Sequence, residues 1–334
     1  MAEPYGVRYT IEGFLLNHDK AITLNTEDGR IFSLLMDAGE AKKFEERRVK
    51  IEGMAHRADE IDVIKVKKIS AASEPDKTIA PLTPSDYQRP PSILKSDQEK
   101  IVIKDVRWDI TQDPSTSTRK AKHTWENVTI RPDMIEEVYL AIKPFFPKFV
   151  AAHSLWVFKL RPGGMVSSSG KQSPGIALSI EAYRRPGQKY GLLKCFKKEF
   201  EIIWNLVTWA NYATLNVKFN SSNDTALILY PVKLSRDQKV KLLRETINQA
   251  CVNRSGEFYH TTRNNCTNNL IVLLNRVLPA DKQFKLWTIP GVVYNLRATM
   301  PLSLVKLLSK KGYIGEPLRE VNNQNFSTEF PPSR

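Results

Sequence analysis

The sequence predicts an α+β protein with two domains, a small OB-like β-barrel and a larger domain of mixed strands and helices. The first 69 residues contain five short β-prone runs, with a helix-forming run between the third and the fourth. A Pro-rich stretch then separates them from the rest of the chain. At 334 residues, 41% apolar and 26% charged, the chain is long enough for two domains and globular in composition.

The barrel prediction covers residues 5–69. Strands are expected at 7–16, 21–24, 31–35, 49–54 and 61–66, with a tight turn at 27–30 and a helix at 40–47. OB-like barrels often bind nucleic acid or sugars, but residues 1–68 carry 12 Lys/Arg and 13 Asp/Glu and offer few aromatic side chains for stacking. We therefore expect this domain to dock a protein or to serve a structural role, and we do not expect nucleic acid as a partner.

Residues 70–100 are predicted to form a linker. Five prolines stand among Ser, Asp and Lys residues, a composition that favours extended chain over a packed core. They are Pro75, Pro81, Pro84, Pro90 and Pro91. The domain boundary is therefore expected here.

The larger domain is predicted over residues 101–320, followed by a polar tail at 321–334 that is expected to fray. Strands are expected at 101–108, 125–130, 149–160, 176–185 and 225–234, and helices at 132–143, 235–252 and 301–311, the last ended by Gly312. Residues 284–294 are expected to be a loop. Residues 196–212 fit either helix or strand, and Trp204 and Trp209 are expected in the core.

The pattern around Cys266 predicts a reactive thiol. A polar, turn-forming run ends at Asn264 and Asn265, either of which is a natural helix N-cap, and Thr267 falls in the first turn. Apolar residues then recur over 270–277 at the spacing of one buried helix face. The free N–H groups and the positive end of the helix dipole stabilise a thiolate in this position. Cys266 is therefore a candidate nucleophile in need of a base.

His153, within the β-prone run 149–160, is the candidate base. An imidazole can take the thiol proton or stabilise the thiolate, and later protonate the leaving group. If the runs 149–160 and 176–185 form a hairpin centred near residue 168, His153 faces residues 181–183. Glu181 is the first choice to orient the imidazole, with Tyr183 and Asn265 as alternatives. The neighbours of the pair that could support it are Ser154 and Thr267.

Non-catalytic explanations for these histidines and cysteines are more common than catalytic ones. A single histidine on a strand is usually structural, and His260, six residues before Cys266, is a rival base on what is expected to be an exposed loop. The five histidines and three cysteines form neither H-E-x-x-H nor C-x-x-C, so no metal or other cofactor is expected. Cys195 and Cys251 could pair in an oxidising compartment, or all three cysteines could be buried thiols.

Four motifs with a fixed order carry a family resemblance. They are Ala152-His-Ser-Leu-Trp-Val-Phe158, Ile176-Ala-Leu-Ser-Ile-Glu-Ala-Tyr-Arg-Arg185, Leu229-Tyr-Pro-Val-Lys-Leu-Ser235 and Phe258-Tyr-His-Thr-Thr-Arg-Asn-Asn-Cys-Thr-Asn-Asn-Leu270. Over roughly residues 105–316 the chain resembles the N-terminal periplasmic domain of the Lnb-type lipoprotein N-acyltransferases. The resemblance does not extend to the barrel. Lnb-type proteins continue into transmembrane helices, whereas no such stretch occurs in this sequence.

The resemblance implies that His153 and Cys266 are a catalytic pair and that Glu181 belongs to the same site. It also implies a permuted papain-like domain, similar to the group that includes lecithin–retinol acyltransferase, in which acyl chains pass through a cysteine thioester. The implied fold is an antiparallel sheet packed on helices, with the cysteine at the start of one helix.

The predicted function is that of a soluble Cys–His enzyme forming an acyl-cysteine intermediate, an acyltransferase or hydrolase acting on a lipid-type or lipoprotein-type acyl or amide substrate at the envelope. The alternatives are a cysteine peptidase or peptidoglycan amidase and a non-catalytic binding or scaffold protein. The chain has a net charge of +14, of which residues 1–68 contribute −1 and the remainder +15. The basic remainder suits an anionic membrane surface or a lipid substrate, although a basic protein without such a partner is equally expected. We expect a periplasmic or exported location with the signal peptide removed, and a cytoplasmic location is the alternative.

Overall fold

The computed structural model describes most of the chain. The described residues are 4–18, 21–26, 31–45, 47–58, 61–72, 82–112, 121–145, 151–185, 188, 199–219, 226–254, 257–261, 264–284, 287–289, 293–294, 300–326 and 330. The fold is mixed α+β, with a closed five-stranded barrel and a larger sheet covered by helices. The predicted turn at 27–30 and Cys195 lie outside the described residues.

The N-terminal barrel has the predicted arrangement of five strands and one helix. Its elements are β1 (Pro4–His18), β2 (Ala21–Thr26), β3 (Ile31–Leu35), α1 (Ala38–Lys42), β4 (Arg48–Ala58) and β5 (Ile61–Ala71). The strand order is β1-β2-β3-β5-β4, and β4 pairs back with β1 to close the barrel. Alternate strand residues such as Leu15, Leu24 and Ile51 fill the interior. Phe14 and Leu16 pack instead against Val252 of the larger domain.

The stretch predicted to be a linker, residues 70–100, is partly folded into the larger domain. Residues 73–81 are not described, but Ser92–Ser96 forms a strand that pairs with the main sheet, and Gln88 is buried. The prolines of this stretch limit helix and central strand formation, yet they do not prevent an edge strand or side-chain packing. The part of the stretch from residue 82 therefore belongs to the larger domain.

The larger domain is built on a sheet of nine described strands. Its elements are β6 (Ser92–Ser96), β7 (Ile101–Gln112), β8 (Ala121–Ile130), β9 (Ile135–Phe145), β10 (Ala151–Leu160), β11 (Met165–Ser167), β12 (Gly175–Ala182), β13 (Ile202–Thr208) and β14 (Ile228–Pro231). The order is β11-β8-β7-β13-β12-β10-β9-β14, with β6 beside β7. The expected antiparallel sheet is interrupted once, because β13 runs parallel to β7.

Helices cover both faces of this sheet. They are α2 (Trp209–Ala213), α3 (Arg236–Ala250), α4 (Cys266–Asn275) and α5 (Pro301–Lys310), and a π-helical turn (Thr214–Lys218) continues α2. On one face, residues such as Trp156 pack with α3, α4 and α5. On the other, residues such as Val157 pack with α2 and the π-helical turn. Alternation along β10 thus directs consecutive side chains into two different cores.

Several predicted elements fit this fold and some are wrong. The helix caps at Ser235 and Asn265 and the end of α5 before Gly312 (φ +75°) are confirmed, as is the burial of Trp204 and Trp209. The ambiguous segment 196–212 supplies β13 and α2 where it is described.

The helix predicted at 132–143 is wrong. Only a 3₁₀ turn forms (Pro132–Met134), and strand β9 follows. Alternate residues of β9 face the two cores, so that apolar residues every fourth position also satisfy a strand buried on both faces. This spacing could not separate the two structures.

Two other regions are more ordered than predicted. The segment expected to be a loop contains a short hairpin of β15 (Trp287–Ile289) and β16 (Val293–Tyr294). In the tail, Val321 is buried and bridges Leu227, and Phe326 and Phe330 pack on the α2 face, so the described part of the tail is docked. No described helix combines the length and the apolar character needed to cross a membrane.

Candidate active site

Cys266 is the first residue of α4. Asn265 is the N-cap, and its side chain accepts hydrogen bonds from the backbone N–H groups of Thr267 and Asn268, while the Asn265 N–H donates to the side-chain oxygen of Asn268. The helix is buried along its length and is tied to β10 by the Trp156 indole, which donates to the Leu270 carbonyl. The thiol is therefore held at the positive end of a fixed helix dipole.

A buried polar network shapes the loop that leads to this helix. Glu257 forms an ion pair with Arg254 at 2.7 Å, and it also accepts from the Asn264 amide at 2.9 Å. The Arg254 guanidinium lies over the Trp204 ring at 4.0 Å from the centroid. Asn264 in turn accepts from Asn269, in the first turns of α4. These contacts connect the loop, the sheet and the helix start, and so fix where the thiol can be.

His153 projects from β10 toward the same place. The predicted hairpin register is confirmed, because Trp156 pairs with Leu178, which brings residue 153 level with residue 181. The pairing of β10 with β12 ends at this Trp156–Leu178 pair. Beyond it, the thiol of Cys266 lies close enough to the His153 imidazole and to Ser154 for both to lower its pKa, and its Sγ is 3.8 Å from the Thr267 hydroxyl oxygen. The thiol thus reaches the imidazole where the two strands are no longer paired.

Ser179 connects the imidazole to Glu181. The Nε2 atom of His153 lies 3.0 Å from the Ser179 hydroxyl oxygen, and this hydroxyl donates to Glu181 Oε1 at 2.7 Å. Since the hydroxyl proton is used toward the carboxylate, the oxygen accepts from an Nε2–H of His153. This leaves Nδ1 as the nitrogen that exchanges a proton with Cys266. The network therefore selects a tautomer and an orientation.

The electrostatics of the pair favour a thiolate. Burial by itself raises the pKa of the Cys266 thiol, but the adjacent His153 and the hydrogen bonds from Ser154 outweigh burial and lower this pKa to about 6. Burial lowers the pKa of His153, yet Cys266 and the Glu181 charge outweigh it, so the net direction is upward. Each partner stabilises the charged form of the other.

Glu181 is kept ionised by its own surroundings. Burial raises the pKa of this carboxyl, but the Arg107 charge and the hydrogen bond from Ser179 prevail and lower it. Its second oxygen accepts from the Gln88 amide at 3.0 Å. Arg107 is fully buried and is positioned by Asn211, whose side-chain oxygen accepts from Nε at 3.0 Å. A carboxylate held in this way supplies a steady negative charge behind the imidazole.

The other predicted residues have different places. The Tyr183 hydroxyl donates a hydrogen bond to the Thr83 carbonyl, so Tyr183 does not serve to orient His153. Asn265 acts as the helix cap. Thr267 shares a hydrogen bond of 2.9 Å with the Ser154 hydroxyl, and that contact joins α4 to β10 beside the thiol. The rival base His260 is half-buried and pairs through its backbone with Asn264.

Sequence reasoning missed several residues around the pair, among them Ser179, Gln88 and Lys143. Ser179 was within reach, because it stands two residues before Glu181 and strand alternation puts both on one face. Gln88 lies in the segment predicted as linker, and Lys143 in the strand predicted as helix. Among the described residues no group of three or more His, Cys, Asp and Glu side chains could hold a metal ion.

Comparisons with known proteins bear on both domains. A family model described as the Lnb N-terminal periplasmic domain matches residues 121–311. A second model, described as a protein of unknown function (DUF5818), matches residues 12–72, the region of the barrel. No curated protein and no solved structure gives a significant match.

Proposed function

The chain belongs to the family of the Lnb N-terminal periplasmic domain, and on this basis we propose that it is an envelope enzyme in which Cys266 carries an acyl group as a thioester. The observation that carries the proposal is the juxtaposition of Cys266, at the start of a buried helix, with the His153 imidazole, each of which stabilises the charged form of the other. A nucleophile, its base and an orienting carboxylate in one chain of contacts are the elements of covalent thiol catalysis. We further propose that this domain is a permuted papain-like one, with the histidine strand before the cysteine helix.

The chemistry proceeds in two halves. His153 Nδ1 takes the thiol proton, and the thiolate attacks the substrate carbonyl, forming an S–C bond. The bond from that carbon to the leaving alcohol or amine breaks as the leaving group takes the proton from His153. An amine or water then attacks the thioester, gives its proton to His153, and the C–S bond breaks to restore the thiol pair. Transfer to an amine makes the enzyme an acyltransferase, and attack by water makes it a hydrolase.

The oxyanion of each tetrahedral intermediate needs a donor. We assign this role to the backbone N–H of Cys266, which lies in the first turn of α4, where N–H groups have no carbonyl partner within the helix. The helix dipole adds to the same effect.

Intact-protein mass spectrometry tests the proposal. After incubation with vesicles of diacyl phospholipid, we expect the wild type to gain the mass of one acyl chain on Cys266. The variants C266A and H153A should remain unmodified, and C251A, which removes a cysteine outside the pair, should be acylated like the wild type. An adduct that persists in C266A would overturn the assignment of the nucleophile.

The same variants separate the alternatives. If the wild type cleaves muropeptides and C266A does not, while no acyl adduct forms, the protein is a peptidase or amidase. If neither reaction occurs, a non-catalytic binding protein is the better description. The contact between Cys266 and His153 supports the enzyme classes over this last one, because a catalytic pair must be within hydrogen-bond reach.

The charge of the larger domain suggests a partner for it. We propose that the larger, basic domain meets an anionic membrane surface, since residues 69–334 carry 38 Lys/Arg and 23 Asp/Glu, a net charge of +15. Sedimentation with vesicles containing or lacking anionic lipid tests this, and equal binding to both would contradict it. The barrel is proposed to dock a protein.

A further inference from the structure

Lys143 is the cross-strand neighbour of His153. In the antiparallel register of β9 and β10, the two residues lie directly opposite each other. Side chains of opposed residues project from the same face of a sheet, with Cβ atoms about 5 Å apart. The ammonium group therefore shares a sheet face with the imidazole.

The position of this ammonium is fixed from the helical layer. Lys143 Nζ donates to Asn216 Oδ1 at 2.5 Å, and the Asn216 amide donates to the Tyr212 carbonyl at 2.8 Å. Asn216 belongs to the π-helical turn (Thr214–Lys218), a rare geometry that is often found at functional sites. No ion pair joins Lys143 to a carboxylate within the described part of the chain. Burial lowers the pKa of this ammonium, and the nearby Glu181 charge counteracts the lowering. A neutral amide holds the ammonium in position.

His153 is thus placed between charges of opposite sign. Cys266 approaches it from α4, Glu181 and Ser179 from β12, and Lys143 from β9. Behind them, Arg107 of β7 acts on Glu181, and the Tyr212 phenol of α2, whose pKa burial raises well above its ordinary value, stays neutral. Thiolate and carboxylate favour the imidazolium, and Lys143 is the group beside His153 that opposes it.

We propose, building on the proposed acyl-cysteine function, that Lys143 is a positioning residue whose fixed charge makes the His153 imidazolium a stronger acid toward the leaving group. Once the thiolate has formed the S–C bond, the Glu181 carboxylate and the oxyanion of the intermediate still favour the proton on His153. Without an opposing charge, transfer of this proton to the leaving group would be slower. General acid catalysis is most efficient when the acid has a pKa near the working pH. The lysine restores this balance without contacting the substrate.

The test measures His153 directly, by NMR titration of the histidine C2–H resonances, assigned by loss of one signal in H153Q. In K143M we expect the pKa of His153 to rise by on the order of one unit. K143R keeps the charge and should stay close to the wild type. The matched control K159M removes a lysine of β10 that pairs with Glu136 instead, and it should leave His153 unchanged.

K143M should affect the two reactions of Cys266 differently. Alkylation of Cys266 by iodoacetamide is retained, because the thiolate is still formed, while acyl-adduct formation from phospholipid vesicles slows several-fold. Alkylation and NMR need no acyl substrate, so a wild type that forms no acyl adduct refutes the proposed function and leaves the role of Lys143 measurable.

A second variant covers the event that K143M does not fold. N216D places a carboxylate against the ammonium and should also raise the pKa of His153. A pKa of His153 that stays constant or falls in both K143M and N216D would overturn the proposal, as would a K143R variant that behaves like K143M.

Discussion

His153 Nε2 and the Ser179 hydroxyl lie 3.0 Å apart, and the same hydroxyl donates to Glu181 at 2.7 Å, so that the carboxylate acts on the imidazole through a serine. A direct carboxylate contact would also orient the ring, but it would place the negative charge closer to the imidazole and favour the imidazolium more strongly. The intervening hydroxyl orients the ring and keeps the charge of Glu181 at a distance. This arrangement makes Ser179 a positioning residue.

Replacing Ser179 with Ala should weaken the pair without abolishing it. The His153 ring loses the acceptor of its Nε2–H, and a hydrogen bond of this kind contributes about 1 kcal/mol. We expect the rate of Cys266 alkylation at pH 6 to fall roughly three- to tenfold. S173A is the matched control, because that buried serine bonds to Gly175 at the start of the same strand. Equal rates for S179A and the wild type would contradict the relay.

The pH dependence of alkylation should report the lowered pKa of the thiol. The thiolate is the nucleophile, so the rate rises with pH through a midpoint near the pKa of about 6 and is nearly constant above pH 7. In H153A the main cause of the lowering is gone and burial remains, so the midpoint should move above 8. At pH 7 the thiolate fraction would then drop from about nine-tenths to less than about one-tenth.

The control for this measurement is H260A, which tests the rival base directly. If His153 is the partner of the thiol, H260A keeps the midpoint near 6. A midpoint that moves in H260A and not in H153A would transfer the role to His260.

The helix cap separates stability from reactivity. N265A removes the side-chain acceptor at the start of α4 and should lower the free energy of unfolding by about 1 kcal/mol. N265D keeps the acceptor but adds a negative charge beside the thiolate, so it should preserve stability and raise the pKa of Cys266. S235A, which removes the cap of α3, should cost similar stability and leave the alkylation midpoint unchanged. Thermal unfolding and the alkylation profile of the three variants check both effects.

The sequence was sufficient where local patterns decide the structure. The five strands of the barrel, the cap before Cys266 and the His153 hairpin follow from alternation and capping residues, and each is present. The sequence was insufficient where the pairing and burial of strands within the sheet determine the structure. Strand β9 is apolar on both sides because it lies between two cores, and this removed the alternation that would have distinguished it from a helix. Lys143 was therefore not seen as a neighbour of His153.

A similar limit applies to Gln88. Its segment has the composition of a linker, and only the folded sheet shows that its amide reaches Glu181 from 93 residues away. Contacts of this range depend on which strands pair, and β13 joining β7 in parallel is not signalled by any local pattern. The members of the site that the sequence identified are accordingly those with local signals, namely the helix-start cysteine, the strand histidine and Glu181 opposite it in the predicted hairpin.

The last prediction concerns the buried ion pair of Arg254 and Glu257, which lie 2.7 Å apart with side chains 5% and 8% exposed. Removing one partner leaves a buried charge without compensation, a loss that typically costs about 3–5 kcal/mol. E257Q should therefore lower the unfolding free energy by about that amount, and it should also reduce Cys266 alkylation, because Glu257 holds Asn264 two residues before the thiol. The matched control is E136Q, which removes a carboxylate from the partly exposed pair with Lys159 and should cost less than about 1 kcal/mol.

The double variant R254M/E257Q removes both charges and should recover part of the stability lost in E257Q, since contacting residues are not additive. It should not recover the alkylation rate, because Asn264 still lacks the carboxylate that holds the loop. Chemical denaturation of the three variants, with iodoacetamide alkylation measured in parallel, decides the matter, and an E257Q variant no less stable than E136Q would show that the pair does not hold the loop.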